Sequence, residues 1–270
     1  MPTLRVLLRE GRLPALEARM LWEHVLQVPR SWLIAHDDEE PDPGQLQAYR
    51  ELEARRLAGE PMAYILQLRE FMGRNFAVSP AVLIPRPETE LLVETAIEKL
   101  KGRESACVLD LGTGSGVIPV SIALECPQAK VFATDLSQEA LEIARGNAAR
   151  LGAAVEFLQG NWYEALPPGK VFDLIVSNPP YIPADDPHLA QGDLRFEPSM
   201  ALTDGDDGLT AYREIVAGAQ ARLRPGGHLF VEHGWDQAVA ICDLLRQAGF
   251  REIHSLPDLA GILRVSGGHS

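Results

Sequence analysis

The chain has 270 residues, of which 46% are hydrophobic, and a formal net charge of −13. That length holds one large domain and a small one, each with a core. The acidic balance argues against broad, sequence-independent binding to nucleic acid, which needs clustered Lys and Arg against phosphates. No apolar run approaches the roughly 18 residues of a membrane helix, and MPTLRVLLREGRL is too short and too charged for a signal peptide. A cytoplasmic protein with no membrane partner is expected. Cys107, Cys126 and Cys242 are odd in number and widely spaced, so buried thiols are expected rather than a disulfide framework or a metal site.

Residues 3–60 carry apolar positions at helical spacing, through Leu16, Met20, Leu21 and Val25 and again from Leu46 to Leu57. An acidic, proline-bearing loop at 36–44 separates the two runs. They read as a small helical domain, 1–60, either a plain bundle or a module that recognises a macromolecular substrate. Residues 63–71 and 75–78 flank Met72-Gly73-Arg74 as the strands of a hairpin, within a linker over 61–80. In Ile84-Pro-Arg-Pro-Glu-Thr-Glu90, Pro87 suits the first turn of a helix, and Glu88 and Glu90 suit its positive end. That helix is predicted to run to about Gly102. From Ala106 strands and helices alternate, the pattern of a parallel sheet covered on both faces. Strands are predicted at 107–111, 131–134, 155–158, 172–177 and 228–232, and helices at 117–125, 138–151, 208–223 and 235–248. Runs at 251–255 and 261–265 close the sheet as an antiparallel pair. This α/β domain spans 81–270.

Val108-Leu-Asp-Leu-Gly-Thr-Gly-Ser-Gly116 sets Gly112, Gly114 and Gly116 at the turn from the first strand into its helix, where the backbone bends sharply and a ligand comes close. The dinucleotide fingerprint asks for a third glycine where Val117 stands, so that cofactor class is disfavoured. The spacing after Asp110 instead resembles the donor turn of class I S-adenosylmethionine-dependent methyltransferases. Asp135 closes the second strand, 23 positions after Gly112. A carboxylate there suits two ribose hydroxyls, because Ser137 is available to cap the next helix. Gly160-Asn161-Trp162 brings a polar side chain and a large ring to the same edge, suited to an adenine.

Asn178-Pro179-Pro180-Tyr181 follows the fourth strand. Ligands of open parallel sheets bind beyond the carboxyl ends of the strands, and successive prolines stiffen the backbone there. The tetrapeptide resembles the motif of methyltransferases that act on planar, conjugated amino groups, and such a group is a poor nucleophile. Hydrogen bonds from its two N–H groups to the Asn178 side-chain oxygen and the Pro179 carbonyl polarise and aim it, and Tyr181 can cover it by stacking. No metal is required. His188 and His233 are poor candidates for a base, since the amide need not lose its proton before attack.

Read together, Gly59-Glu-Pro61, Ile84–Glu90, Asp110–Gly116, Asn178–Ile182, Arg195-Phe-Glu-Pro198 and Glu232-His-Gly234 occur in the order found in the HemK/PrmC family, which the chain resembles over nearly its whole length. The resemblance implies a Rossmann-like, mostly parallel seven-stranded sheet with a small N-terminal helical domain and a hairpin linker. It implies methyl transfer from S-adenosyl-L-methionine, leaving S-adenosyl-L-homocysteine, to the glutamine of the Gly-Gly-Gln motif in class 1 peptide chain release factors. By position, Gly112, Thr113, Gly114, Ser115, Gly116, Asp135, Asn161, Trp162, Asn178 and Thr89 would hold the donor. Asn178, Pro179, Pro180, Tyr181 and Glu197 would hold the acceptor, and Asn178, Pro179 and Tyr181 would act in catalysis. Asn161 departs from the Asp often found in related chains. For Glu197, pairing with Arg195 or another base stands beside the substrate role.

The same tetrapeptide serves adenine-specific DNA or RNA methyltransferases. Residues 76–270 hold 15 Lys and Arg against 26 Asp and Glu, a poor match to a nucleic-acid groove, so no direct nucleic-acid substrate is expected. A donor-binding module without catalysis is a third reading, opposed by the intact Asn178 and Tyr181. A monomer is expected.

Overall fold

A computed structural model describes residues 2–270. The chain divides after Leu68 into two compact units.

The first unit is helical: α1 (Leu4–Glu10), α2 (Ala15–Leu26), α3 (Arg30–Ala35), α4 (Pro43–Leu57) and α5 (Met62–Leu66). Its core gathers Leu4, Leu21, Trp22, Leu33, Tyr49 and Ile65. Trp22 of α2 and Tyr49 of α4 stack with ring centroids 4.3 Å apart, so the two longest helices share an aromatic contact. The acidic loop has a local use at its end. Asp42 Oδ1 accepts from the Gln45 backbone N–H at 2.8 Å, and Gln45 Oε1 accepts from the Asp42 N–H at 2.9 Å, a reciprocal cap ahead of Pro43. Asp42→Ala is expected to lower stability by about 1 kcal/mol; an unchanged denaturation midpoint would refute this.

Residues 62–66 correct the sequence reading, which began the hairpin at 63. A short apolar run fits strand or helix equally. Here it follows Pro61, forms α5 and buries Ala63, Tyr64 and Ile65, and the chain then turns at Gln67 with φ of 57°. The hairpin is shorter: β1 (Leu68–Phe71) and β2 (Arg74–Ala77). Its turn residues Met72 and Gly73 both have positive φ, as a two-residue hairpin turn requires.

The second unit continues with α6 (Thr89–Leu100), β3 (Cys107–Leu111), α7 (Val117–Glu125), β4 (Lys130–Asp135), α8 (Gln138–Leu151), β5 (Val155–Gln159), β6 (Phe172–Ser177), α9 (Ser199–Leu202), α10 (Thr210–Ala219), β7 (Leu223–Glu232), α11 (Ala238–Gln247), β8 (Arg251–Pro257) and β9 (Leu263–His269). The seven strands lie in the order β5-β4-β3-β6-β7-β9-β8. The first five run parallel, and β9 is antiparallel to both β7 and β8. Alternation along each strand builds two cores. Val108, Leu174, Val176 and Phe230 face α6 and α7 with Leu92, Val93, Ile118 and Ile122. Their neighbours Leu109, Ile175, Leu229 and Val231 face α10 and α11 with Tyr212, Ile215, Ile241 and Leu245.

Two boundaries differ from expectation because glycine misleads as punctuation. The predicted helix to 223 ends at Ala219, and Leu223 already pairs with Phe172, with an irregularity before His228 that absorbs Pro225-Gly-Gly227. The last strand runs past 265 through Gly267 and Gly268. A Cβ on Gly267 would lie 2.2 Å from the Phe230 ring and 2.3 Å from the Leu229 carbonyl, so glycine lets β9 lie against β7. Among the described residues no helix is long and apolar enough to cross a membrane.

Candidate active site

The chain order of the strands reverses between β3 and β6, and the crevice of such a sheet opens beyond the carboxyl ends of those strands. A cleft of about 980 Å3, counted with the space at its open mouth, lies there. Its walls come from the glycine turn, the ends of β4, β5 and β6, the segment before α6 and α9.

The turn after β3 is held from behind. The N–H groups of Gly112 and Thr113 both donate to the Thr134 carbonyl, at 2.9 and 3.0 Å. All three glycines have positive φ. A Cβ on Gly116 would come 2.9 Å from the Ala144 Cβ, whereas Gly114 faces open space. The first therefore serves helix packing, and the second leaves room for a ligand. Asn147 of α8 braces the same turn: its Nδ2 donates to the Ser115 carbonyl at 2.9 Å and to the Ala77 carbonyl at 3.0 Å, and its Oδ1 accepts from the Ala77 N–H at 2.7 Å.

Asp135 lines the cleft. Its Oδ2 accepts from the Gly114 N–H and its Oδ1 from the Ser137 N–H, both at 2.8 Å. Ser137 Oγ in turn caps α8 by accepting from the Ala140 N–H. The cap is Ser137, as the sequence predicts, and each Asp135 oxygen keeps a lone pair for a further donor. Burial raises the Asp135 pKa, and the backbone hydrogen bonds oppose that rise.

Asn161 and Trp162 also line the cleft. Trp162 takes a positive φ of 43°, its ring edge lies 3.2 Å from where a Gly112 Cβ would stand, and its indole N–H donates to Glu214 at 2.6 Å. The ring thus covers the glycine backbone and is locked from α10.

Asn178 stands at the mouth of β6. Its Nδ2 donates to Thr89 Oγ1 at 3.2 Å, and its Oδ1 is buried without a hydrogen-bond partner. Pro180 lines the cleft, and Pro179 is buried beneath it. Tyr181 remains a phenol at neutral pH: burial first, then the charge of Glu232, pushes its pKa up to about 12. Gln237 clasps this segment. Its Nε2 donates to the Tyr181 carbonyl at 3.0 Å and to the Gly208 carbonyl at 3.1 Å, while its Oε1 accepts from the Gly234 N–H at 2.9 Å.

Glu197 is 6% exposed and has both oxygens engaged. Oε2 accepts from the Ile84 N–H at 2.9 Å, and Oε1 accepts from Arg86, a residue of the cleft wall. Its base is Arg86 rather than Arg195, whose guanidinium lies over the Phe196 ring. Glu197 thereby ties the Arg-Phe-Glu-Pro loop to the Pro-Arg-Pro segment. His233 is buried with Nδ1 beside the Gly234 carbonyl and Nε2 beside Ser266 Oγ, and His188 is exposed beside Asp186; neither lines the cleft.

Asp110 lies under the turn, fully buried, and neither of its oxygens nor the Thr113 hydroxyl above has a strict hydrogen-bond partner. Burial pushes its pKa up to about 7, with the nearby Thr113 hydroxyl pulling it down and Asp135 adding to the rise. The folded state therefore keeps this proton to higher pH than the unfolded chain, whose aspartates ionise near pH 4, so its contribution to stability declines between those values. Burial lowers the pKa of His228 to about 4, and that group acts with opposite sign over the same interval. Asp110→Asn isolates the effect. Relative to the unmodified protein, its stability should gain roughly 3 kcal/mol as pH rises from about 4 to about 7. Parallel stability curves for the two proteins would contradict this.

Residues missed in the sequence are those that position others. Glu214, Gln237 and Asn147 carry no motif signal, and Arg86 and Glu232 stand within motifs that give them no role.

Residues 87–191 match the methyltransferase small domain, and residues 4–66 match the PrmC N-terminal domain. Over 269 residues the chain is 63% identical to the release factor glutamine methyltransferase of Bordetella pertussis, with 100% of each chain covered. It is 55% identical to that of Burkholderia pseudomallei, covering 97% of this chain and 94% of the other. A solved 16S rRNA methyltransferase of T. thermophilus, in complex with AdoMet and guanosine, is similar with a TM-score of 0.57 over 75% of this chain and 49% of its own; at 22% identity this likeness concerns the fold. The alternation of strands and helices, the mostly parallel seven-stranded sheet and the helical N-terminal region agree with these matches, and the chain belongs to the release factor glutamine methyltransferase family.

Proposed function

We propose that the chain transfers a methyl group from S-adenosyl-L-methionine to the side-chain amide of the Gly-Gly-Gln glutamine in class 1 peptide chain release factors. It does so in the cytoplasm, as a monomer, with no nucleic-acid substrate. The observation that carries this reading is Asn178: a carboxamide oxygen in the wall of a strand-end cleft, buried and without a donor. A glutamine amide supplies the missing N–H. The names of relatives at 63% and 55% identity support the same acceptor and leave the adenine-directed alternative without support.

The residues present fit the donor. Gly114 leaves room where a side chain would stand, Thr113 holds a buried hydroxyl without a partner, and Asp135 has lone pairs for ribose hydroxyls. Thr89, Asn161 and Trp162 complete that wall. When bound, S-adenosyl-L-methionine supplies a methyl group on a positive sulfonium and leaves as S-adenosyl-L-homocysteine. Asn178 and the rigid Pro179-Pro180 backbone orient the acceptor amide, so its nitrogen is aimed without a covalent intermediate, and the proton it loses goes to water. Tyr181 covers the planar group. Glu197 acts on this pocket by holding Arg86. Residues 1–60 recognise the body of the factor, and 61–80 link them to the methyltransferase domain, 81–270.

Incubation with labelled donor and a release factor, followed by mass spectrometry of the glutamine-bearing peptide, should show one methyl group on that glutamine. Label on nucleic acid, or none on the factor, would overturn the proposal.

A further inference from the structure

Glu232 is a buried acid that the reaction as described leaves unused. It ends β7, is 2% exposed, and its Oε2 has no hydrogen-bond partner. A carboxylate at that depth is costly unless it is paired. The charged and titratable groups around it come from every neighbouring element: Glu88 before α6, Arg264 on β9, Tyr181 after β6 and Tyr212 on α10. The nearby Thr89 and Asn178 side chains favour its ionised form. The backbone beneath it is fixed, since the Tyr212 hydroxyl donates to the Glu232 carbonyl at 2.8 Å.

The hydrogen bonds among these side chains have a direction. Asn178 Nδ2 donates to Thr89 Oγ1, so the one hydroxyl hydrogen of Thr89 points elsewhere. The Glu232 side chain has no hydrogen bond to Thr89 in this structure, but it is near enough to feel the hydroxyl, and in its ionised form it can only accept. Asn178 then turns its oxygen, the atom without a partner, to the acceptor side. A carboxamide is nearly symmetric in shape, and only its partners tell one end from the other. If the Thr89 hydrogen pointed at Asn178 instead, the carboxamide would turn over and present NH2 to an acceptor amide that needs an oxygen.

We propose that Glu232 is a positioning residue: through the Thr89 hydroxyl it sets which end of the Asn178 carboxamide faces the acceptor, and so selects a primary amide over a carboxylate. This rests on the glutamine reading above.

Glu232→Gln tests it, because the introduced amide, unlike the carboxylate, can donate to Thr89 and so no longer holds the hydroxyl hydrogen away from Asn178. On full-length release factor kcat should fall by ~10-fold or more, with donor affinity unchanged. Calorimetry with S-adenosyl-L-homocysteine present should show a Gly-Gly-Gln peptide binding more weakly by a similar factor. Thr89→Ser, which keeps the hydroxyl, should lose less than Thr89→Val. Thr89→Val should lose as much as Glu232→Gln, and the double variant no more than either alone. The unmodified enzyme should gain kcat as pH rises through about 7, where burial places the Glu232 pKa, and Glu232→Gln should lack that limb. Unmodified kcat and peptide affinity in Glu232→Gln, or additive losses in the double variant, overturn the inference. Should Glu232→Gln fail to fold, equal activity of Thr89→Val and Thr89→Ser overturns it. Absence of methylation by the unmodified protein overturns the functional reading, and this inference falls with it.

Discussion

Asn178→Ala is expected to lower kcat by on the order of 10²–10³ while leaving donor affinity and folding close to those of the unmodified protein. The Asn178 oxygen is already buried and unpartnered, so the substitution relieves an unsatisfied acceptor, which offsets the loss of the single long hydrogen bond from Nδ2 to Thr89 Oγ1. What is lost is the hydrogen bond that the acceptor amide makes while its nitrogen attacks, an interaction the transition state uses more than the ground state. Single-turnover kinetics on release factor, alongside calorimetric titration of the donor, separates the two. A variant with ordinary turnover would remove Asn178 from the mechanism, and one that no longer binds donor would show that the side chain supports the donor wall instead.

The second large effect is expected from Gly208→Ala. Gly208 has φ of +77°, and a Cβ there would stand 2.4 Å from the Tyr181 carbonyl oxygen and 3.1 Å from Gln237 Nε2. Strain in the left-handed region and the overlap together are expected to cost roughly 2–4 kcal/mol, a fall of about 5–10 °C in Tm for a unit of this size. Because the clash falls on the backbone of the acceptor motif, activity at a temperature where the variant is folded should fall as well, through kcat and KM for the factor rather than donor affinity. Gly205 has nearly the same φ, +80°, but nothing within 4 Å of its missing Cβ. Gly205→Ala therefore controls for backbone strain alone. Equal losses in the two variants would mean that contact with Tyr181 is irrelevant.

What the sequence reveals about this protein follows the reach of local chemistry. The pattern of apolar runs identifies all seven strands of the large sheet, most plainly the central β3, β4, β6 and β7, because strands covered on both faces must be apolar and short. It failed at 62–66 and at 223, where tertiary burial and a glycine pair decide the outcome. The cleft residues Gly112, Asp135, Asn161, Trp162 and Asn178 stand together because each follows a strand that the topology ends on one edge. Gln237, Glu214 and Asn147 were not legible, since their partners lie 29 to 70 positions away in the chain. Nothing in one sequence marks a polar side chain that reaches for a distant backbone. Glu197 lies between these cases: the sequence leaves pairing with a base beside a substrate role, and the fold makes the pairing and chooses Arg86 over the nearby Arg195.

The hairpin formed by β1 and β2 has one further property. A two-stranded ribbon leaves two open edges whose backbone groups invite another chain to add a strand. The β2 edge is closed by side chains of α8. Asn147 engages both polar groups of Ala77, and Arg150 Nη2 donates to the Asn75 carbonyl at 2.6 Å. An asparagine amide and a guanidinium thus stand in for a third strand on that side, protecting the β2 edge from edge-to-edge pairing without proline, a bulge or a covering sheet.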